Sequence, residues 1–133
     1  MKRDNKKTGA AGEKAAEDFL RKKGYRILER NFYTKFGEID IVAKQHPRGE
    51  RSSHLGGVLV FVEVKTKSGD RFGEPWEMVN QRKLEQVERM GEVWNMKNNW
   101  QGLCRIDVVG VWLDNKGQVD KIEHWENVEE VIL

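Results

Sequence analysis

The chain is poor in cysteine, proline and net charge. Cys104 is its single cysteine among 133 residues, which rules out an intrachain disulfide and a zinc site built on cysteines. The three histidines, His46, His54 and His124, are scattered, so a histidine-rich metal site is not expected either. No apolar run approaches the roughly 20 residues that span a bilayer. The start, Met1-Lys2-Arg3-Asp4, leads into no hydrophobic segment of the secretory kind, so the expected location is the cytoplasm. Repeats and low-complexity segments are absent. A charged fraction of 35% and a mean hydropathy of −0.77 fit one soluble domain over residues 1–133, long enough to bury a core.

The small net charge of +2 is unevenly spread. Residues 114–133 hold six acids against two bases, a balance of −4 that leaves +6 on residues 1–113. Bases cluster at Lys2/Arg3/Lys6/Lys7, Arg21/Lys22/Lys23 and Arg48/Arg51, and again at Lys65, Lys67 and Arg71. Such clusters permit phosphate contacts, although any one of them also suits an ordinary solvated surface.

What is abundant is valine in one place. Val58-Leu59-Val60-Phe61-Val62-Glu63-Val64-Lys65 reads as a buried strand, because β-branched and aromatic side chains suit a pleated surface. Alternation puts the four valines on one face and Leu59, Phe61, Glu63 and Lys65 on the other. An acid and a base thus end an otherwise apolar row. Gly37-Glu38-Ile39-Asp40-Ile41-Val42-Ala43 repeats the anomaly, with Asp40 in a row with Glu38 and Val42. Antiparallel pairing with Asp40 opposite Glu63 gives every apolar residue an apolar partner: Ile41 with Val62, Val42 with Phe61, Ala43 with Val60. It also sets two carboxylates about 5 Å apart, which is destabilising unless a cation intervenes. A divalent metal ion and the Lys65 ammonium are the candidates.

Along the chain, residues 1–7 are expected to form a flexible basic arm, and Thr8 to cap a helix ending near Lys23 at Gly24. Gly12, Ala15, Ala16, Phe19 and Leu20 make its buried arc. Glu13 borders that arc, either as a first-turn acid favoured by the helix dipole or as a site residue. A strand over Tyr25–Tyr33 turns through Thr34-Lys35-Phe36-Gly37 into the Asp40 strand, and a long hairpin loop over 45–57 leads to the valine strand. A helix starts between Pro75 and Asn80 and runs to about Lys97, with Trp76, Val79, Val87, Met90 and Trp94 in one arc. Lys83 falls inside that arc; its stem either snorkels to solvent or reaches a phosphate near the strand acids. Strands over Cys104–Leu113 and Lys121–Trp125 follow. Cys104 is expected to be buried, Asp107 to be a structural acid, and Trp112 and Trp125 to be core or cross-strand aromatics.

Asp40…Glu63-Val64-Lys65 resembles the motif of the PD-(D/E)XK nucleases. Gly12-Glu13 with Ala16, Gly24-Tyr25, Ile27-Leu28, Arg30-Asn31, Gly37-Glu38-Ile39-Asp40, Phe61 to Lys65, Phe72-Gly73, Lys83 and Asp107-Val108-Val109 occur in the order of the small bacterial YraN-like family. That family is similar in fold to archaeal Holliday-junction resolvases. The chain departs from its pattern in the long 45–57 loop, in Lys67 where arginine is more usual, and at Gly91 and Glu92 where alanines are usual. The resemblance implies an α/β (α+β) restriction-endonuclease-like core, a mixed sheet flanked by two helices in the order αβββαββ. It also tips Glu13 toward the site.

The chemistry implied is hydrolysis of DNA phosphodiesters, with branched or junction DNA in repair and recombination as candidate substrates. Asp40, Glu63, the Val64 carbonyl and Glu13 would hold Mg²⁺ or Mn²⁺, hard cations that choose oxygen ligands. Lys65 would orient the attacking water, while Lys67, Arg71 and Lys83 would bind substrate. Symmetrical cutting of a junction would require a homodimer. The alternative is a nucleic-acid-binding or adaptor protein that keeps the fold without cutting. A purely structural salt-bridge cluster ranks last, because desolvation makes it a poor device for stability.

Overall fold

A computed structural model describes the backbone of residues 2–46, 57–68 and 79–129, and the side chains of these ranges from residue 9 onward. The elements are α1 (Lys2–Lys22), β1 (Arg26–Thr34), β2 (Gly37–Gln45), β3 (Val58–Ser68), α2 (Gln81–Asn98), β4 (Leu103–Leu113) and β5 (Val119–Trp125). The strands form one sheet in the order β1-β2-β3-β4-β5. All neighbours are antiparallel except β3 and β4, whose parallel pairing requires a crossover, and α2 lies in it. The result is the expected α+β arrangement of a restriction-endonuclease-like core, a mixed sheet flanked by two helices.

The faces follow from alternation. Ile41, Ala43, Val60, Val62, Val109 and Val111 project to one side and pack with Ala16 and Leu20 of α1. Val42, Leu59, Phe61, Ile106 and Val108 project to the other and pack with Leu84, Val87, Met90 and Trp94 of α2. Each fully buried aliphatic side chain of this kind contributes roughly 1.5–3 kcal/mol. Ile41→Ala, at a position with no exposure, would remove a wholly buried side chain at a cost of about 2–5 kcal/mol.

Local chemistry sets the ends. Gly24 takes a φ of 94° to end α1. The Asn80 side chain accepts from the Lys83 amide at 2.9 Å to cap α2, one of the two starts the sequence allows. Gly91 lets α2 approach β3, since a Cβ there would lie 2.6 Å from the Phe61 ring. An alanine at this position would need that ring to move.

Three expectations change. Residues 2–7 are not an arm: α1 already runs through them, and Thr8 lies inside it rather than at its cap. No proline or glycine precedes Gly9 to stop the helix propagating backwards. Cys104 is exposed, because at this end of β4 it lines an open cleft of about 260 Å³ with Asn95 and Glu92. Within the 45–57 loop, β2 ends at Gln45, paired with Val58; residues 47–56 lie outside the described part, as do Arg71, Pro75 and Trp76. Among the described residues, no helix is long and apolar enough to cross a membrane.

Candidate active site and metal centre

The β2–β3 ladder has the register expected from the apolar pattern: Ile41 faces Val62, Val42 faces Phe61 and Ala43 faces Val60. One step further the main chains are bridged by a side chain. Asp40 Oδ2 accepts from the Val64 amide at 2.7 Å. Asp40 is thereby fixed where β2 and β3 part, with its carboxylate turned toward the acids of neighbouring elements.

Glu13 arrives from α1. Gly12 makes this approach possible, because any Cβ at this position would overlap the Thr66 hydroxyl of β3. Glu38 stands two residues before Asp40 on β2. Carboxylate oxygens of Glu13, Glu38 and Asp40 all lie within 4.8 Å of one another. Between Arg30, paired with Ile41, and Phe32, paired with Ile39, Asn31 adopts a left-handed φ of 53°. With its NH₂ turned toward the acids, Asn31 donates to Glu38 Oε1 at 2.6 Å and to Glu13 Oε2 at 3.2 Å.

Glu63 is 5% exposed and stands outside this trio. Its Oε1 lies 3.6 Å from Lys83 Nζ and 4.0 Å from Lys65 Nζ. Among the described residues its buried Oε2 has no hydrogen-bond partner. Lys83 therefore comes nearer to Glu63 than Lys65 does, from the inward arc of α2 where the sequence places it. Lys67 follows Lys65 on the same row of β3.

Electrostatics record the crowding. Burial first, then the charges of Asp40 and Glu38, push the Glu13 carboxyl up to about 7. Burial followed by the charge of Asp40 pushes Glu63 up to about 7, against the pull of Lys83 and Lys65. Asp40 is also raised by burial, despite the Val64 amide that favours its charged form. Near them Tyr33, exposed on β1, is raised above the ordinary phenol range first by the charge of Glu38.

These residues suit a hard divalent cation. Three carboxylates offer oxygens within reach of one ion, and a fourth holds an unpartnered buried oxygen that feels the charge of Asp40. Sequence reasoning gathers Glu13, Asp40, Glu63, Lys65 and Lys83 and misses the contributions of Glu38 and Asn31. The alternation that puts Glu38 in the row of Asp40 was the available signal for the first. Asn31 gave none, because its role depends on a backbone conformation that periodicity does not encode.

Residues 12–111 match the uncharacterised protein family UPF0102. A UPF0102 protein of Pelobacter propionicus is 42% identical over 129 residues, covering 96% of this chain and 86% of the relative. Relatives from Alkaliphilus oremlandii and Moorella thermoacetica are 41% and 40% identical, each covering 92% of this chain and 97% and 95% of their own lengths. On both counts, the chain belongs to the UPF0102 family.

Proposed function

We propose that the protein is a Mg²⁺- or Mn²⁺-dependent endonuclease acting on DNA, with branched or flapped forms as substrates. The observation that carries this reading is the meeting of Glu13, Glu38 and Asp40 within 4.8 Å, with the charge of Asp40 felt by Glu63, whose buried Oε2 has no partner among the described residues. Three acids gathered with few donors, and a fourth that feels the charge of Asp40, destabilise a fold unless a cation completes them.

Asp40, Glu13 and Glu63 would hold the ion, with the Val64 carbonyl as a further oxygen and Glu38 steadying the group through Asn31. When bound, the ion neutralises charge on the phosphoryl group and acts on it as a Lewis acid. The chain's own residues do the rest. Asp40 is kept in position by the Val64 amide. Lys65, whose ammonium lies 4.0 Å from Glu63 on β3, would orient the attacking water and offset charge developing on phosphate oxygens. Lys83, already drawn toward the acids by Glu63, can turn to a phosphate oxygen when substrate enters.

The test is a cleavage panel over linear, flapped and four-way DNA with and without Mg²⁺ or Mn²⁺, run alongside Lys65→Ala. Metal-dependent products that vanish in Lys65→Ala support the reading. DNA affinity without products, unchanged in Asp40→Asn and Glu63→Gln, would replace it with a binding module.

A further inference from the structure

We propose that the groove between the β1–β2 hairpin tip and the start of α2 takes an unpaired stretch of DNA, one base lying against Phe36 and the flanking phosphates against Arg82, Lys83 and Arg89. The inference deepens the nuclease reading by naming the substrate form, and its binding half can be tested apart from cleavage.

The groove has a volume of about 470 Å³, and Phe36, Asn80, Arg82, Lys83, Glu85 and Arg89 are among its walls. Three bases outweigh one acid, and the first turn of α2 carries no acid to offset the positive end of the helix dipole. Phe36 is 38% exposed at a turn tip, so its ring is accessible to a base. Two cations attend that ring, Lys35 Nζ at 5.3 Å and the Arg89 guanidinium at 5.6 Å from its centre. An aromatic face between cations on flexible stems is the arrangement that holds single strands, where bases stack and phosphates pair.

The tip is also held in place. Gln86 Nε2 donates to the Phe36 carbonyl, and Gly37, at a φ of 142°, leaves room for the Gln86 side chain where a Cβ would collide with it. A platform already ordered loses little freedom on binding. The groove leads to the acids through Lys83, which lines it and stands 3.6 Å from Glu63. A strand lying in it would present a phosphodiester toward the proposed cleavage site.

The experiment uses the full chain carrying Asp40→Asn, so that DNA is bound without being cut. Anisotropy is measured with a labelled dT20 strand, a flap of the same unpaired sequence and a blunt duplex. Phe36→Ala is expected to weaken dT20 and flap binding about tenfold, as loss of one stacked base would. Duplex binding should change less than about twofold and Phe36→Trp should restore affinity. Arg82→Ala with Arg89→Ala should flatten the salt dependence of dT20 binding by about 1.4, two phosphates at roughly 0.7 each. Lys116→Ala, on the β4–β5 turn, is the control for losing one surface charge. Unfolding curves check each variant, and quenching of a 2-aminopurine base by the unsubstituted ring gives a second readout.

Equal affinity of Phe36→Ala for dT20, or an equal loss on duplex and dT20, overturns the inference, and so does the absence of any DNA binding. Selective loss in a protein whose parent cleaves nothing would keep the groove and remove the nuclease. Cleavage by the parent with unaltered flap binding in Phe36→Ala would do the reverse.

Discussion

Adjacent strands of this sheet bury acids in opposite ways. Asp107 of β4 is paired with Val62 and fully buried on the side of the sheet covered by α1. It accepts from Arg105 Nε at 3.0 Å, from the Asn127 amide at 3.0 Å and from His124 Nε2 at 2.7 Å. His124 Nδ1 meets the Lys23 ammonium at 2.8 Å and acts as its acceptor, which leaves Nε2 to carry the hydrogen given to Asp107. Burial alone would raise this carboxyl, but the hydrogen bonds from His124, Arg105 and the Asn127 amide bring it below the usual carboxylate range. On the opposite face, Glu63 of the neighbouring strand has two lysines near one oxygen and, among the described residues, no partner for the other. One acid is fully satisfied within the architecture; the other, among the described residues, is only half so.

The largest effect is expected at the satisfied acid. Asp107→Ala would leave Arg105 and His124 facing each other without their carboxylate and should cost about 3–5 kcal/mol in denaturant unfolding. A loss below about 1 kcal/mol would break the contrast. Next comes Asp40→Asn, whose amide oxygen can still accept from Val64. It should lower cleavage by about 100-fold or more while leaving metal-free unfolding unchanged or slightly improved. A collapse in stability would instead make Asp40 as architectural as Asp107.

The pH profile separates the two regions by sign. Burial pushes Glu13 and Glu63 up to about 7 in the fold from the ordinary glutamate value of 4.5. Their contribution is therefore present below the unfolded value and is lost as pH rises through about 7. Asp107, lowered in the fold, contributes above its unfolded value, and that contribution disappears as acid protonates it. Metal-free protein should accordingly lose melting temperature between about pH 4.5 and 7. Asp107→Asn should flatten the acid limb and Glu63→Gln the neutral one. The smallest change belongs to Asn31→Ala, which removes a donor shared by Glu13 and Glu38. Metal affinity should shift by a few-fold, with stability altered by about 1 kcal/mol or less in thermal unfolding.

How far the sequence could be read follows from the same contrast. The strand register was legible because setting Asp40 opposite Glu63 pairs Ile41, Val42 and Ala43 with Val62, Phe61 and Val60, apolar against apolar. That alignment brought Asp40 toward Glu63. The fact that Asp107 is structural could also be anticipated, but not that His124 would be its donor, since the partners are 17 residues apart and on different strands. Glu17 shows the same limit: it is buried on α1 because Arg21 and Arg30 reach it at 2.8 and 3.0 Å, and helical periodicity carries only the first of these. Cys104 looked buried because its neighbours are apolar. Whether a helix covers that end of the strand is a tertiary matter.

The most direct test is calorimetric titration of Mn²⁺ into the metal-free chain and into Asp40→Asn at pH 7. The account predicts saturable binding at or below millimolar ion in the first and its loss in the second. No binding to either, or equal binding to both, would contradict it.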